Sequence, residues 1–101
     1  MSGWNELDAA VHVLSDPLIR DRCERFVSFQ GVEWDDLLSA SEHWSHGERL
    51  LVLAALDLWN GRAHELDEQF GLRRLVSTLD AVRLERVIEG VRILCGQAVP
   101  S

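Results

Sequence analysis

Two histidines and two carboxylates lie close together in the sequence, at Glu42, His43, His46 and Glu48. Imidazole nitrogens and carboxylate oxygens are ligands that zinc and related metals accept, so this segment could support metal-dependent chemistry. A shared metal would need both histidines on one helix, but Ser45 between them predicts a helix boundary. No cysteine is close in sequence. We therefore predict capping or surface roles for these residues and expect no metal or other cofactor.

The patterns typical of nucleophilic and acid–base catalysis are missing from the sequence. The G-x-S-x-G sequence that presents a nucleophilic serine does not occur. The acid pairs Asp35-Asp36 and Asp67-Glu68 are adjacent in sequence, and adjacent residues on a helix point in different directions. Such pairs are typical of a solvated surface rather than of two carboxylates that share a reaction. We predict that the protein is not an enzyme.

The segment that starts at Ser45 carries the S-x-x-E pattern of a helix capping box, with Glu48 at the second polar position and an apolar run behind it. These residues also resemble the signature stretch of ATP-binding cassette and chromosome-maintenance ATPases, although His46 departs from that pattern. The resemblance implies a helix that faces a nucleotide. However, the chain has no G-x-x-x-x-G-K-[ST] phosphate loop and no lysine to complete one. The pattern therefore predicts the start of a helix and no nucleotide.

The net charge of −7 is distributed unevenly along the chain. Residues 1–71 hold 14 acids and five arginines, a net charge of −9, whereas residues 72–101 hold three acids and five arginines, a net charge of +2. The acidic part should repel nucleic acid and anionic membranes and attract a basic partner. We predict a partner that is another protein, with a second copy of this chain as one alternative.

Four tryptophans stand out, because each lies near the end of a predicted helix and tryptophan is enriched where proteins dock. Combined with the acidic charge and the missing catalytic patterns, they predict a non-catalytic protein–protein interaction module with an acidic surface. The candidate partner-binding residues are Trp34, Trp44, Trp59, Asp35, Asp36, Asp67 and Glu68.

The alternative function is DNA binding through a helix-turn-helix in residues 64–95. Its basis is the local charge of +2 and the order of a short helix, a turn and a longer helix. We expect an outer face of mixed charge on the last helix, where Glu85 and Glu89 interrupt the arginines and weaken the case. The candidate nucleic-acid contacts are Arg73, Arg74, Arg83 and Arg86.

Apolar residues recur at helical spacing almost throughout, which predicts an all-α fold without a sheet. We expect a compact bundle of five to six short helices around a central apolar helix at about residues 46–59, within which residues 50–56 are apolar on every face. The predicted segments are helices at 4–14, 17–29, 33–44, 46–59, around 72–79 and 81–95, with a helical turn at 65–70 and a frayed tail at 96–101.

Length and composition indicate one domain over residues 1–101, since 47% of the residues are hydrophobic and the chain has the usual size of a single domain. The longest apolar run, at residues 50–56, is far shorter than the roughly 20 residues of a membrane span. The acidic start lacks the features of a secretion signal, so we expect the cytoplasm. We place Cys23 and Cys95 on core stripes as free thiols. Arginine without lysine favours a GC-rich bacterial gene.

Overall fold

The computed structural model describes residues 4–96, which form seven helices and one small hairpin. The elements are α1 Trp4–Leu14, α2 Arg20–Cys23, a 3-10 turn Glu24–Phe26, β1 Val27–Ser28, β2 Gly31–Val32, α3 Trp34–Ser41, α4 His46–Asn60, α5 Ala63–Leu66, α6 Leu72–Thr78 and α7 Ala81–Leu94. This architecture confirms the all-α bundle. The predicted helical turn at 65–70 is a helix in its own right, α5, which begins earlier and brings the number of helices to seven.

Helix α4 is the centre of the bundle, as its sequence predicts. Ser45 Oγ accepts a hydrogen bond from the Glu48 backbone N–H at 3.3 Å, and Glu48 Oε1 accepts one from the Ser45 N–H at 3.0 Å, so the capping box is complete. Every residue from Leu50 to Leu56 is buried, and α1, α3, α5, α6 and α7 all pack against this helix. The apolar run is therefore the core that the other helices share.

Of the predicted helix at residues 17–29, only Arg20–Cys23 is α-helical. Residues 17–19 form a turn, and after Cys23 the chain tightens into the 3-10 turn and reverses in a small hairpin, in which Val27 pairs with Val32. Gly31 adopts a φ of +138° in β2, which L side chains rarely adopt. The β-branched Val27 and Val32 lie opposite each other across the hairpin, and this pairing replaces the helix that the spacing of the apolar residues predicts.

Helix α7 packs closely against α1 and α4 through Gly90. A Cβ atom at this position would lie 2.7 Å from Leu58 Cδ1 and 3.0 Å from Val13 Cγ2, so only glycine fits without movement of its neighbours. The face of α7 that carries Gly90 and Val87 is buried, whereas Ile88 and Val91 are exposed, although the helical spacing of their apolar side chains is typical of core residues.

The two cysteines form no disulfide, and they differ in environment. Cys23 is buried as predicted, and burial raises the pKa of its thiol to about 11, so the thiol stays protonated and unreactive at neutral pH. Cys95 is exposed, which corrects its predicted place on the core stripe. No helix within residues 4–96 has the length and apolar character needed to cross a membrane. Except for Gly96, the predicted tail lies outside the described residues.

Candidate functional site

A cleft of about 370 Å³ opens between the start of α3, the C-terminal half of α4 and the short helix α5. It brings together two of the predicted tryptophans and one of the predicted acids. We call it the aromatic cleft. Its lining residues are Trp34, Asp35, Leu38, Leu56, Trp59, Asn60, Arg62, Glu65 and Leu66.

Trp34 and Trp59 form the aromatic wall of this cleft. Their ring centroids are 5.5 Å apart and the ring planes are tilted by 33°, a normal distance for a favourable aromatic pair. Trp34 is only 9% exposed, whereas Trp59 is 41% exposed. The indole N–H of Trp34 is buried and has no hydrogen-bond acceptor among residues 4–96. An unpaired buried donor is costly for a protein and is uncommon.

Local hydrogen bonds fix the elements that carry these side chains. The Glu33 N–H donates to the Phe26 carbonyl at 2.8 Å, which ties the start of α3 to the hairpin region. At the other wall, the Ala63 N–H donates to Asp57 Oδ1 at 3.3 Å and holds the first turn of α5 against the end of α4. The cleft is therefore shaped by contacts between elements rather than by one continuous segment.

The charges in the cleft leave one carboxylate without a cation. Arg62 Nε lies 3.8 Å from Glu65 Oε2, an exposed and therefore weak ion pair. Among residues 4–96, no cation lies within 4.0 Å of the Asp35 carboxylate. The aromatic cleft thus combines an apolar wall with an unpaired negative charge.

The third predicted tryptophan lies elsewhere. Trp44 is half-buried, and the guanidinium carbon of Arg22 sits over its ring at 4.7 Å from the centroid. The same guanidinium donates to both carboxylate oxygens of Glu48, and this contact lowers the pKa of Glu48 to about 2. One face of Trp44 is therefore covered by the chain's own cation.

The other predicted acids do not join Asp35 in one surface. Asp36 is exposed on α3 but does not line the cleft. Asp67 faces a separate cavity of about 70 Å³ with His46 and Arg74, and Glu68 is exposed in the loop after α5. Glu65 and Leu66 also line the cleft but are not among the predicted residues, although the apolar Leu66 in a polar stretch is a signal in the sequence.

The chain matches no protein-family model, no curated protein and no solved structure. The candidate site therefore rests on its own geometry and contacts.

The arginines predicted as nucleic-acid contacts have different surroundings. Arg83 Nε lies 3.1 Å from Asp16 Oδ1, and Arg86 Nε lies 3.9 Å from Asp16 Oδ2, so the predicted outer face of α7 is wrong at these two positions. Asp16 is 1% exposed, and two cations balance its charge at a place where an unpaired ion would be costly. The guanidinium of Arg74 contacts His46 and Gln69, while Arg73 is exposed.

The residues that suggested metal binding are also separated. Glu48 pairs with Arg22, His46 contacts Arg74, and His43 is exposed. Within residues 4–96, no three histidine, cysteine or acidic side chains are arranged to hold a metal ion.

Proposed function

We propose that this protein is a non-catalytic interaction module whose aromatic cleft binds a short basic segment of another protein. The observation that carries the proposal is the pairing of an exposed Trp59 with an uncompensated Asp35 in one cleft. An apolar or cationic side chain of the partner packs on Trp59, and the Asp35 carboxylate neutralises the positive charge of the basic segment.

The aromatic wall supports a binding role because it offers accessible aromatic contact area. Tryptophan is enriched among the few residues that dominate the binding energy of protein interfaces, particularly in well-packed pockets near the centre of the contact. Trp59, which is 41% exposed, supplies this accessible surface, and the nearly buried Trp34 supports it from behind at a centroid distance of 5.5 Å.

The charge distribution supports a basic partner. Residues 1–71 have a net charge of −9, and this field accelerates the approach of a positively charged segment. Arginine is well suited to stack on the exposed face of Trp59, since the chain already places Arg22 over Trp44 in this manner. The long-range field thus steers the partner, and Asp35 fixes its position.

The composition of the cleft supports binding over catalysis. Its nine lining residues include no serine, threonine, cysteine, histidine or lysine, so it offers none of the usual hydroxyl, thiol, imidazole or amine nucleophiles. The buried Cys23 thiol, with its raised pKa, lies outside this lining.

The DNA-binding alternative gains no comparable support. Arg83 and Arg86, two of its four candidate contacts, are directed towards Asp16 and are half-buried. A recognition helix needs several free donors on one exposed face.

The proposal is tested with synthetic peptides that combine arginine with leucine or phenylalanine, and with matched peptides in which glutamate replaces arginine. We expect the basic peptides to bind and the acidic ones not to bind. Asp35→Asn should weaken the affinity about fivefold to tenfold, in line with the loss of about 1–1.5 kcal/mol for one charge-assisted contact. Trp59→Ala should weaken it further.

Asp36→Asn is the matched control, because Asp36 is the adjacent residue, carries the same charge and does not line the cleft. It should reduce the association rate slightly and leave the dissociation rate unchanged. Equal effects of the two Asp→Asn changes, or equal affinity for basic and acidic peptides, would contradict the proposal.

A further inference from the structure

Four of the chain's ten arginines are half-buried, and they fall into two pairs. Arg83 and Arg86 share the buried carboxylate of Asp16, as charges partly removed from solvent usually require. Arg49 and Arg74 have no such partner. Among residues 4–96, no carboxylate lies within 4.0 Å of either guanidinium group. The second pair therefore carries two positive charges that the described part of the chain does not neutralise by contact.

Arg49 and Arg74 line the same cavity of about 70 Å³ between α4 and α6. We call it the arginine cavity. Its lining residues are His46, Arg49, Leu50, Leu53, Asp67 and Arg74. Leu50 and Leu53 are almost completely buried and give the cavity an apolar wall, which strengthens the attraction between charges beside it.

The hydrogen bonds of the two arginines within residues 4–96 all go to neutral acceptors. Arg49 Nη1 donates to the Leu38 carbonyl at 3.3 Å and to Ser41 Oγ at 3.1 Å. Arg74 donates to Gln69 Oε1 and contacts His46 Nε2. Because a guanidinium group only donates, His46 Nε2 accepts in this contact and the imidazole is neutral. None of these partners balances a positive charge.

Asp67 is the one acid that lines the arginine cavity. Its Oδ1 accepts the Gln69 backbone N–H at 2.9 Å, and its carboxylate lies more than 4.0 Å from both guanidinium groups. Two arginines against one aspartate leave the cavity with an excess of one positive charge. A second negative group between the arginines would complete the balance.

We propose that the arginine cavity binds one small tetrahedral oxyanion of the phosphate or sulfate type. A guanidinium group presents paired N–H donors that match two oxygens of such an ion. The volume equals that of only a few water molecules at ~30 Å³ each, so the buried part of the ligand is a single group of this size. His46 is exposed, and the cavity is therefore open to ions from solvent.

The negative charge of the chain restricts the ligand to a small ion. A polyanion such as nucleic acid would be repelled along its length by residues 1–71, whose net charge is −9. A single ion in the cavity lies directly beside two guanidinium groups, closer than the Debye length of about 8 Å at physiological ionic strength, so the nearest charges outweigh the distant ones that salt screens.

This assignment goes beyond the proposed function. No residue of the arginine cavity lines the aromatic cleft, and the two sites bind ligands of opposite charge. Asp67, predicted from sequence to attract a basic partner, acts here as a group that weakens the binding of an anion.

The test is a titration of the full chain with inorganic phosphate at neutral pH, with the ionic strength held constant by sodium chloride. Nuclear magnetic resonance follows the Nε–H signals of the arginines. We expect the signals of Arg49 and Arg74 to shift and saturate together, and that of Arg73 to stay in place, because Arg73 is exposed and does not line the cavity. Sodium sulfate should compete with phosphate.

Three variants separate the arginine cavity from general attraction to positive charge. Arg74→Gln should weaken phosphate binding about tenfold or more, since it removes a charge-assisted contact. Arg73→Gln is the matched control, an adjacent residue of the same charge, and should change the affinity less than about twofold. Asp67→Asn keeps the acceptor for the Gln69 N–H, removes the repelling charge and should strengthen binding about threefold.

O-phosphoserine serves as a second ligand that distinguishes two sources of the same chemistry. Tighter binding than inorganic phosphate would assign the cavity to the phosphate group of a larger molecule, whereas weaker binding would assign it to the free ion.

The absence of saturable shifts with phosphate and sulfate would overturn the proposal. Equal weakening by Arg74→Gln and Arg73→Gln would do the same, as would weaker binding in Asp67→Asn. Circular dichroism checks the fold of each variant, and if Arg74→Gln unfolds, the opposite responses expected of Asp67→Asn and Arg73→Gln still decide the question. Peptide binding at the aromatic cleft is measured separately, so failure of the anion site leaves the proposed function open to its own test.

Discussion

The interior between α1, α4 and α7 and the aromatic cleft both depend on α4, yet they differ in how much of their surface is accessible. In the interior there is no room for one methyl group at Gly90, and two arginines face the buried Asp16. In the cleft, Trp59 is 41% exposed, and among residues 4–96 no cation lies within 4.0 Å of the Asp35 carboxylate. Each region also holds one buried polar atom without a hydrogen-bond partner among residues 4–96, Asp16 Oδ2 in the interior and Trp34 Nε1 in the aromatic pair. The interior is therefore closed by the chain itself, while the cleft leaves an aromatic side chain and a charge exposed.

The largest predicted difference between interior and surface comes from the same substitution at two leucines. Leu53→Asp places an unpaired charge in the core, where Leu53 is 1% exposed, and should cost several kcal/mol, comparable with the whole stability of ~5–15 kcal/mol of a small domain. Leu72→Asp, at an exposed position, should change the free energy of unfolding by no more than about 0.5 kcal/mol. Urea denaturation followed by circular dichroism measures both. A folded Leu53→Asp variant with near-normal stability would contradict the predicted difference between core and surface positions.

The second prediction concerns the buried charge at the end of α1. Asp16→Asn leaves Arg83 and Arg86 close together without their counter-charge, and we expect a loss of roughly 2–3 kcal/mol of unfolding free energy. This is below the ~3–5 kcal/mol typical of a broken buried pair, because the arginines can still reach solvent. Asp36→Asn, at an exposed position, is the control and should be nearly neutral. Equal stability of the two variants would show that the ion pairs do not hold α7 to α1.

The third prediction is a small effect of pH at the start of α4. The hydrogen bond from Arg22 lowers the pKa of Glu48 from 4.5 to about 2, so the folded state favours the charged carboxylate. Its stabilising contribution is complete above pH 4.5 and is lost progressively as the pH falls towards 2. Because Arg22 is largely exposed, the contribution should be at most about 1 kcal/mol.

Glu48→Gln should flatten the acid side of the stability curve, and Glu42→Gln, at an exposed position, should not. Thermal unfolding between pH 2 and pH 5 makes this comparison. An unchanged slope in the Glu48→Gln variant would mean that the ion pair contributes nothing to stability.

Sequence predicted those parts of the fold that depend on local pattern. The capping box at Ser45 and Glu48 and the buried run at residues 50–56 both follow from residues within one or two turns of each other. The pairing of Asp16 with Arg83 could not be predicted in this way, since the two residues are 67 positions apart and no local signal connects them.

The candidate site was predicted only in part, because some of its contacts also leave no local signal in the sequence. Composition singled out Trp34, Asp35 and Trp59, and the structure brings them into one cleft. The third wall, formed by Glu65 and Leu66, depends on the direction in which the chain leaves α4, which apolar spacing does not encode. Trp44 resembles the others in sequence, but its Arg22 partner lies 22 residues away, and this contact became visible only in three dimensions.

The most direct test of the aromatic cleft is a nuclear magnetic resonance titration that follows the indole N–H signals of the chain's four tryptophans. The ligand is the tightest-binding peptide of the basic panel. We predict that the signals of Trp34 and Trp59 shift together and saturate at the same peptide concentration, while that of Trp44 remains in place. Shifts at Trp44 without shifts at Trp34 and Trp59, or binding that moves none of these signals, would contradict the account.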